Sequence, residues 1–132
     1  MIVDTSALVA ILKREPDWAM FAAKLETTPT VAMSSASYFE ASFVIDALRD
    51  PSVSRALDDL LERSQIQIEP VTVEQSRIAR QAYRDYGKGS GHKANLNFGD
   101  CFSYALAREK REPILYKGDD FVHTDLRSAL TA

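Results

Sequence analysis

Four short apolar segments, separated by longer helical patterns, are the feature of this sequence that most restricts its fold. They lie at residues 1–4, 30–33, 66–69 and 113–116, and they are too short for helices but suited to buried strands. Each of the first three is followed by a segment whose apolar residues recur at helical spacing. Strands that alternate with helices predict an α/β domain with a central parallel sheet. A last short strand is predicted at 124–127.

Helix boundaries are predicted from capping residues and prolines. The expected helices span residues 7–12, 16–26, 36–48, 53–63, 73–86 and 100–110. The expected N-caps are Thr5 or Ser6 for the first helix, Ser34 or Ser35 for the third and Thr72 for the fifth. Pro51 is expected to break the chain between the third and fourth helices. Residues 87–98 hold three of the five glycines and are predicted to form a loop.

Length and composition predict one globular domain over residues 1–132. A hydrophobic content of 45%, a charged content of 27% and a net charge of −3 fit an ordinary folded domain. The single cysteine, Cys101, excludes a disulfide framework and a cysteine-rich zinc site. No apolar run approaches the ~18 residues needed to cross a membrane. The first residues lack a signal-peptide pattern, so we expect a cytoplasmic protein without a membrane partner.

Acidic residues stand where predicted strands end and where one predicted helix begins. Asp4 ends the first strand, Asp119 and Asp120 follow the strand at 113–116, and Asp100 begins the last helix. Ligands of open parallel sheets bind beyond the carboxyl ends of the strands, so these residues are expected at one crevice. Glu40 lies in the third helix among small and apolar neighbours, an uncommon setting for an unpaired carboxylate.

Carboxylates gathered in one crevice repel one another, and a hard divalent cation such as Mg²⁺ or Mn²⁺ would relieve that repulsion. No histidine stands at these positions, which disfavours zinc. Structural roles are also open to the same residues. Asp4 and Asp100 can serve the N-terminus of a helix, and Gly-Asp-Asp is a common turn. Gly99 indicates that another group approaches the backbone closely just before Asp100.

Over essentially its whole length the chain resembles PIN-domain ribonucleases of the VapC toxin type. Four stretches, in order, carry the resemblance. They are Met1-Ile2-Val3-Asp4-Thr5-Ser6, Ser37-Tyr38-Phe39-Glu40, Asn97-Phe98-Gly99-Asp100-Cys101-Phe102 and Lys117-Gly118-Asp119-Asp120-Phe121. The resemblance implies a single PIN domain over 1–132, with about five parallel strands in a three-layer fold flanked by helices.

The resemblance also implies an activity, that of a Mg²⁺- or Mn²⁺-dependent endoribonuclease acting as the toxin of a toxin–antitoxin pair. The catalytic acids carried over onto this chain are Asp4, Glu40, Asp100 and Asp120, the first three as metal ligands. Asp119 is the alternative to Asp120, and a hydroxyl of Thr5 or Ser6 is expected to assist near the metal.

Three partners are implied as well: an RNA substrate, a cognate VapB-type antitoxin and a second copy of the chain in a homodimer. The setting implied is the cytoplasm of a bacterium or archaeon. The second to fourth helices carry more apolar side chains than one face of a small sheet needs. They serve either the core or an interface, and include Trp18, Phe21, Phe39, Phe43, Leu57 and Leu61.

Basic residues gather between Arg77 and Lys93, where five basic residues and one acidic residue give a net charge of +4. Four of them are spaced by three or four residues, which places them on one face of any helix there. These are Arg77, Arg80, Arg84 and Lys88. A solvated helix face would look the same, but the charge pattern favours phosphate binding, and we predict that RNA binds here.

Two other functions within the same fold stay open. A non-toxin PIN nuclease acting on structured DNA or RNA would keep the same acids and change only the substrate. A non-catalytic PIN-like binding module would be marked by the loss of acidic positions, and none of the four is lost. A phosphate-handling receiver domain is disfavoured, because the strand at 66–69 ends at Pro70 without the aspartate that such a domain needs.

Overall fold

The computed structural model describes residues 1–131, which form four strands and six helices. The strands are β1 (Ile2–Val3), β2 (Ala32–Ser34), β3 (Gln67–Glu69) and β4 (Ile114–Leu115). The helices are α1 (Thr5–Leu12), α2 (Trp18–Thr27), α3 (Ser35–Asp46), α4 (Pro51–Arg63), α5 (Val73–Tyr86) and α6 (Phe98–Lys110). Within residues 1–131 no helix is both long enough and apolar enough to span a membrane. The predicted alternation of strands and helices is confirmed.

The sheet has the order β3-β2-β1-β4, and all neighbouring strands are parallel. β1 lies inside the sheet, where Ile2 pairs with Ala32 on one side and with Ile114 on the other. The chain adds β2 and β3 on one side of β1 and then returns to place β4 on the other side. Strand order therefore reverses between β1 and β4, and such a switch point opens a crevice beyond the carboxyl ends of the two strands.

The predicted last strand is reduced to a single bridge. Residues 124–127 do not form a strand, and Ser128 instead pairs in parallel with Ile114 of β4. The backbone N–H of Ile114 donates to the carbonyl of Arg127 at 3.0 Å, and that of Ala129 donates to the carbonyl of Ile114 at 2.9 Å. This segment pairs with the edge of β4 at a single bridge, so the described residues form four strands where about five were expected.

Successive strand residues point to opposite faces of the sheet, which divides the core in two. In β1, Val3 packs with α1 to α4, whereas Ile2 packs with α5 and α6. In β4, Leu115 packs with α1 to α4, and Ile114 packs with α5 and α6. The sheet thus lies between two helical layers, as the predicted three-layer fold requires; β1, β2 and β4 are buried, whereas β3 at the edge is mostly exposed.

The first and fourth helices begin differently from prediction, and capping explains both. Asp4, rather than Thr5 or Ser6, caps α1, because its Oδ2 accepts a hydrogen bond from the backbone N–H of Ser6 at 3.0 Å. Pro51 does not break the chain but is the first residue of α4, with Asp50 as its cap. Proline suits this position, since a backbone N–H there would have no partner within the helix.

The sixth helix begins at Phe98, two residues earlier than predicted. Asn97 and Asp100 form a reciprocal capping box that fixes this start. The Oδ1 of Asn97 accepts from the backbone N–H of Asp100 at 2.9 Å, and the Oδ2 of Asp100 accepts from the backbone N–H of Asn97 at 3.0 Å. Ser34 and Thr72 cap α3 and α5 as predicted.

Leu106→Ala is expected to lower the free energy of unfolding by about 2–5 kcal/mol. The substitution leaves a cavity where a completely buried side chain of α6 packs in the core with α5 and the sheet. The matched control Leu48→Ala removes the same atoms from a half-exposed side chain. We expect it to cost less than about 1 kcal/mol. Urea denaturation followed by circular dichroism measures both, and equal losses would contradict the assignment of Leu106 to the core.

Candidate active site

Asp4 follows β1 at the switch point of the sheet and has only 3% of its surface exposed. Its Oδ2 accepts hydrogen bonds from the backbone N–H and the Oγ of Ser6, at 3.0 and 2.7 Å. Its Oδ1 accepts from the Oγ of Ser103 at 2.5 Å. These donors confine the side chain to one orientation. Since a carboxylate has about four acceptor positions, one position on Oδ1 remains available to a further group.

A buried chain of hydroxyls supports Asp4 from behind. The Oγ atoms of Ser37 and Ser103 lie 2.9 Å apart, and both residues are buried. Because Ser103 gives its only hydroxyl proton to Asp4, the hydroxyl of Ser37 is the donor between the two serines. Sequence reasoning missed both serines. A signal was available for Ser103, which stands one helical turn after Asp100 and so shares its face of α6.

Thr5 and Ser6, which the resemblance placed near a metal, make positioning contacts. The hydroxyl of Ser6 donates to Asp4 and accepts from the backbone N–H of Lys117 at 3.0 Å. It therefore joins the start of α1 to the loop after β4. The hydroxyl of Thr5 donates to the carbonyl of Ser37 at 3.0 Å, which joins α1 to α3.

Asp100 lies in the first turn of α6 with 8% of its surface exposed. Burial raises the pKa of Asp100 to about 8, and the hydrogen bond with the side chain of Asp120 raises it as well. The backbone hydrogen bond from Asn97 lowers this pKa, whereas the negative charge of Asp4 raises it further. Without a cation, Asp100 is therefore mostly protonated at neutral pH.

The loop after β4 brings Asp120, and not Asp119, into this group. The side chain of Asp120 lies close enough to Asp100 to raise the pKa of Asp100. Asp119, the alternative considered for the fourth acid, is exposed to solvent. The two neighbouring aspartates are thus separated by the path of the loop, and the geometry favours Asp120 for the fourth acid.

Glu40 reaches the same region from α3, where its carboxylate packs against the backbone of Gly99. A β-carbon built on Gly99 would lie 2.3 Å from Oε2 and 2.7 Å from Oε1 of Glu40. Any larger residue at this position would therefore displace the carboxylate. The close approach predicted at Gly99 is present, and Glu40 makes it, at the residue of α6 that precedes Asp100.

The donor set suits a hard divalent cation, because every candidate side chain offers carboxylate oxygens. Among residues 1–131, no three acidic, histidine or cysteine side chains converge closely enough to hold an ion as they stand. Mg²⁺ does not need such a cage, since it is usually bound through one or two carboxylates while waters complete its shell. Asp4, with its available Oδ1 position, and Asp100, once deprotonated, meet that need.

Cys101 is next to Asp100 in the chain but belongs to the core. Its thiol donates to the carbonyl of Asn97 at 3.4 Å. Burial raises the pKa of the Cys101 thiol to about 11, so it stays neutral at physiological pH. This excludes Cys101 as a thiolate nucleophile at that pH.

Arg77, Arg80, Arg84 and Lys88, here called the basic stripe, are all exposed along α5 and just beyond its end. Arg77 forms an ion pair with Glu74 at 3.6 Å. Within residues 1–131 the other three form no ion pair. The backbone N–H of Lys88 donates to the carbonyl of Leu96 at 2.7 Å. The end of the stripe is therefore attached to the segment that leads into α6 and Asp100.

Comparison with known sequences finds close relatives over nearly the whole chain. A family model described as PIN domain matches residues 1–126. Ribonuclease VapC28 of Mycobacterium tuberculosis is 55% identical over 130 residues, which cover 98% of each chain. Ribonuclease VapC42 of the same species is 50% identical over 131 residues, covering 99% of this chain and 100% of the relative.

Comparison with solved structures finds the same fold. The crystal structure of Mycobacterium tuberculosis VapC20, described as a sarcin-ricin loop cleaving toxin, gives a TM-score of 0.74 at 18% identity and 95% coverage of each chain. A toxin–antitoxin complex from Klebsiella pneumoniae gives a TM-score of 0.70 at 15% identity, with 94% of this chain and 92% of the other covered. The sequence comparisons also show the family: this chain belongs to the PIN-domain proteins and, among them, to the VapC ribonucleases.

Proposed function

We propose that this protein is a single-domain, divalent-metal-dependent endoribonuclease and the toxin of a toxin–antitoxin pair. The observation that carries the proposal is that the hydrogen bond from Ser103 holds Asp4 against α6, whose first turn carries Asp100 with Asp120 beside it. Their mutual repulsion is the condition that a divalent cation relieves. The family supports the chemistry, since relatives at 50–55% identity over nearly the whole chain are named ribonucleases.

The proposed roles follow from the contacts of each side chain. Asp4, Asp100 and Glu40 would hold Mg²⁺ or Mn²⁺, and Oδ1 of Asp4 keeps an acceptor position for it, because Ser6 already occupies Oδ2. When bound, the ion lowers the pKa of a water and polarises the scissile phosphate. Glu40 or Asp120 orients the attacking water and accepts its proton. In-line displacement then cleaves the phosphodiester bond.

The proposed partners are RNA, a VapB-type antitoxin and a second copy of this chain. Exposed aromatic rings support a protein partner: Phe39 and Phe43 of α3 are each 68% exposed, with ring centroids 6.4 Å apart. Clustered apolar surface of this kind marks interaction sites. Phe21 and Leu57, which the sequence also offered for an interface, are buried in the core. A structure that shares this fold is a toxin–antitoxin complex.

Asp4→Asn and Asp100→Asn are each expected to reduce RNA cleavage by about 100-fold or more, because each removes a proposed metal ligand. Cleavage of a mixed tRNA and rRNA pool, with Mg²⁺ and with EDTA, measures the effect. Asp119→Asn is the matched control, because it makes the same substitution at an exposed aspartate that lies outside the proposed site, next to Asp120 in the chain. Circular dichroism checks that each variant is folded.

Full Mg²⁺-dependent cleavage by both Asp4→Asn and Asp100→Asn would contradict the proposed site. Wild-type cleavage of structured DNA but not of RNA would favour the non-toxin nuclease. Binding of RNA without cleavage in any metal would favour the binding module.

The pH dependence of stability tests the raised pKa of Asp100. The pKa of Asp100 rises from 3.8 to about 8 on folding, so between these values the folded state holds more protons than the unfolded state. Stability due to this group is therefore present at low pH and declines as pH rises through that interval. In EDTA, the melting temperature of the wild type should fall more than that of Asp100→Asn between about pH 5 and about pH 8.

Mg²⁺ should reverse this decline. Because the ion competes with the proton on Asp100, it should raise the melting temperature of the wild type more at about pH 8 than at about pH 6. Parallel melting curves for wild type and Asp100→Asn across this range would show that Asp100 does not carry the shifted proton.

Replacing Arg80 and Arg84 together with alanine should weaken RNA binding and reduce its salt dependence. The loss of two phosphate contacts lowers the slope of log K against log salt by about 1.4 for a single strand. Fluorescence anisotropy with labelled RNA, in an Asp100→Asn background that prevents cleavage, measures the slope. Arg55→Ala with Arg63→Ala is the matched control, since both are exposed on α4 on the opposite face of the sheet. An unchanged slope for the Arg80 and Arg84 variant would contradict the prediction.

A further inference from the structure

We propose that the exposed ring of Phe98 is a stacking platform for a nucleobase of the RNA beside the cleaved phosphate. The inference rests on the proposed function, because it takes RNA as the molecule that enters the site. Phe98 is the first residue of α6 and is 80% exposed, more than any other large hydrophobic side chain within residues 1–131. It contributes little to the core, and with Phe102 it forms an aromatic cluster at the surface, the kind of feature that marks interaction sites.

The ring of Phe98 contacts one aromatic neighbour, and most of its remaining surface is exposed to solvent. Phe102, one helical turn later, contacts it edge to face, with ring centroids 5.0 Å apart and planes at 84°. Such a pair is attractive in itself and restricts the motion of the ring. With four-fifths of its surface exposed, Phe98 still offers a π-face to a ligand.

The position of Phe98 relative to the acids determines what it can touch. Gly99 and Asp100 follow it directly, and the carboxylate of Glu40 lies against Gly99. An RNA whose scissile phosphate is held among these carboxylates must pass the start of α6. The base next to that phosphate is then the group that meets the ring of Phe98.

The basic stripe leads to the same place. Two backbone hydrogen bonds attach its end to the segment before α6, from Lys88 to the carbonyl of Leu96 at 2.7 Å and from Leu96 to the carbonyl of Tyr86 at 2.9 Å. Phe98 is two residues beyond Leu96, a span of at most about 7 Å. Along this path a nucleic acid meets cations, then an aromatic ring, then the catalytic acids.

This order favours RNA over a protein as the occupant. Proteins bind single strands by combining cationic grooves with exposed aromatic rings on which bases stack. The core of a protein interface is instead depleted of charged residues, whereas Phe98 stands between the basic stripe and Asp100. Phe39 and Phe43 form a separate aromatic pair on α3. Because every base has a π-face, the contact should tolerate different bases.

The test measures the affinity of a short labelled single-stranded RNA for Phe98 variants in an Asp100→Asn background. Phe98→Ala and Phe98→Leu are expected to weaken binding by about 5- to 140-fold, the range for one lost stacking contact. Phe98→Trp keeps a ring and should bind at least as well as the parent. Met20→Ala, which removes a half-exposed apolar side chain from α2, should change affinity by less than about 2-fold.

Three outcomes would overturn the inference. Parent-like affinity of both Phe98→Ala and Phe98→Leu would show that no base stacks there. Tight binding by Phe98→Leu with weak binding by Phe98→Ala would replace stacking with general apolar contact. Unchanged RNA affinity together with a change in oligomeric mass, measured by light scattering, would assign Phe98 to a protein interface. The proposed function fails separately, if the Asp100→Asn protein does not bind RNA and the wild type does not cleave it. The two failures are therefore distinguishable.

Discussion

The hydrogen bond from Ser103 to Asp4 is the contact on which the fold and the site both depend. Asp4 is buried at the end of the central strand, where a carboxylate without donors would cost several kcal/mol. Its donors come from two elements, the start of α1 and the middle of α6, and Ser37 of α3 supports them. The burial of one carboxylate is therefore tolerable only when three helices are already in place. The same arrangement aims the remaining Oδ1 position of Asp4 at the crevice.

Much of the fold could be predicted because it is encoded locally. The short apolar strands, the caps at Ser34 and Thr72, and the placement of Asp4 beyond a strand end follow from neighbouring residues alone. Sequence alone did not identify partners that are distant in the chain. Ser103 and Asp4 are 99 residues apart, and no local pattern records their contact.

The points that the sequence predicted wrongly or left open have the same origin, because each depends on which contacts the folded chain makes. Asp4 caps α1 although Thr5 and Ser6 could do so, because Thr5 is drawn to the carbonyl of Ser37 and Ser6 to Asp4 itself. The choice between Asp119 and Asp120 depends on the path of the loop after β4. The expected fifth strand becomes a bridge because its pairing with β4 is limited to Ser128.

The two edges of the sheet are closed in different ways, and this bears on the solubility of the chain by itself. The segment ending at Ala129 takes the hydrogen bonds that β4 would otherwise offer to another molecule. On the other side β3 is only three residues long and is followed by Pro70, which has no N–H to donate. An ion pair between Glu69 and Lys110 also ties its end to α6. Short, covered or proline-bounded edges resist pairing with strands of other chains. The sheet is thereby protected against intermolecular β-aggregation even while aromatic rings on α3 and α6 remain uncovered.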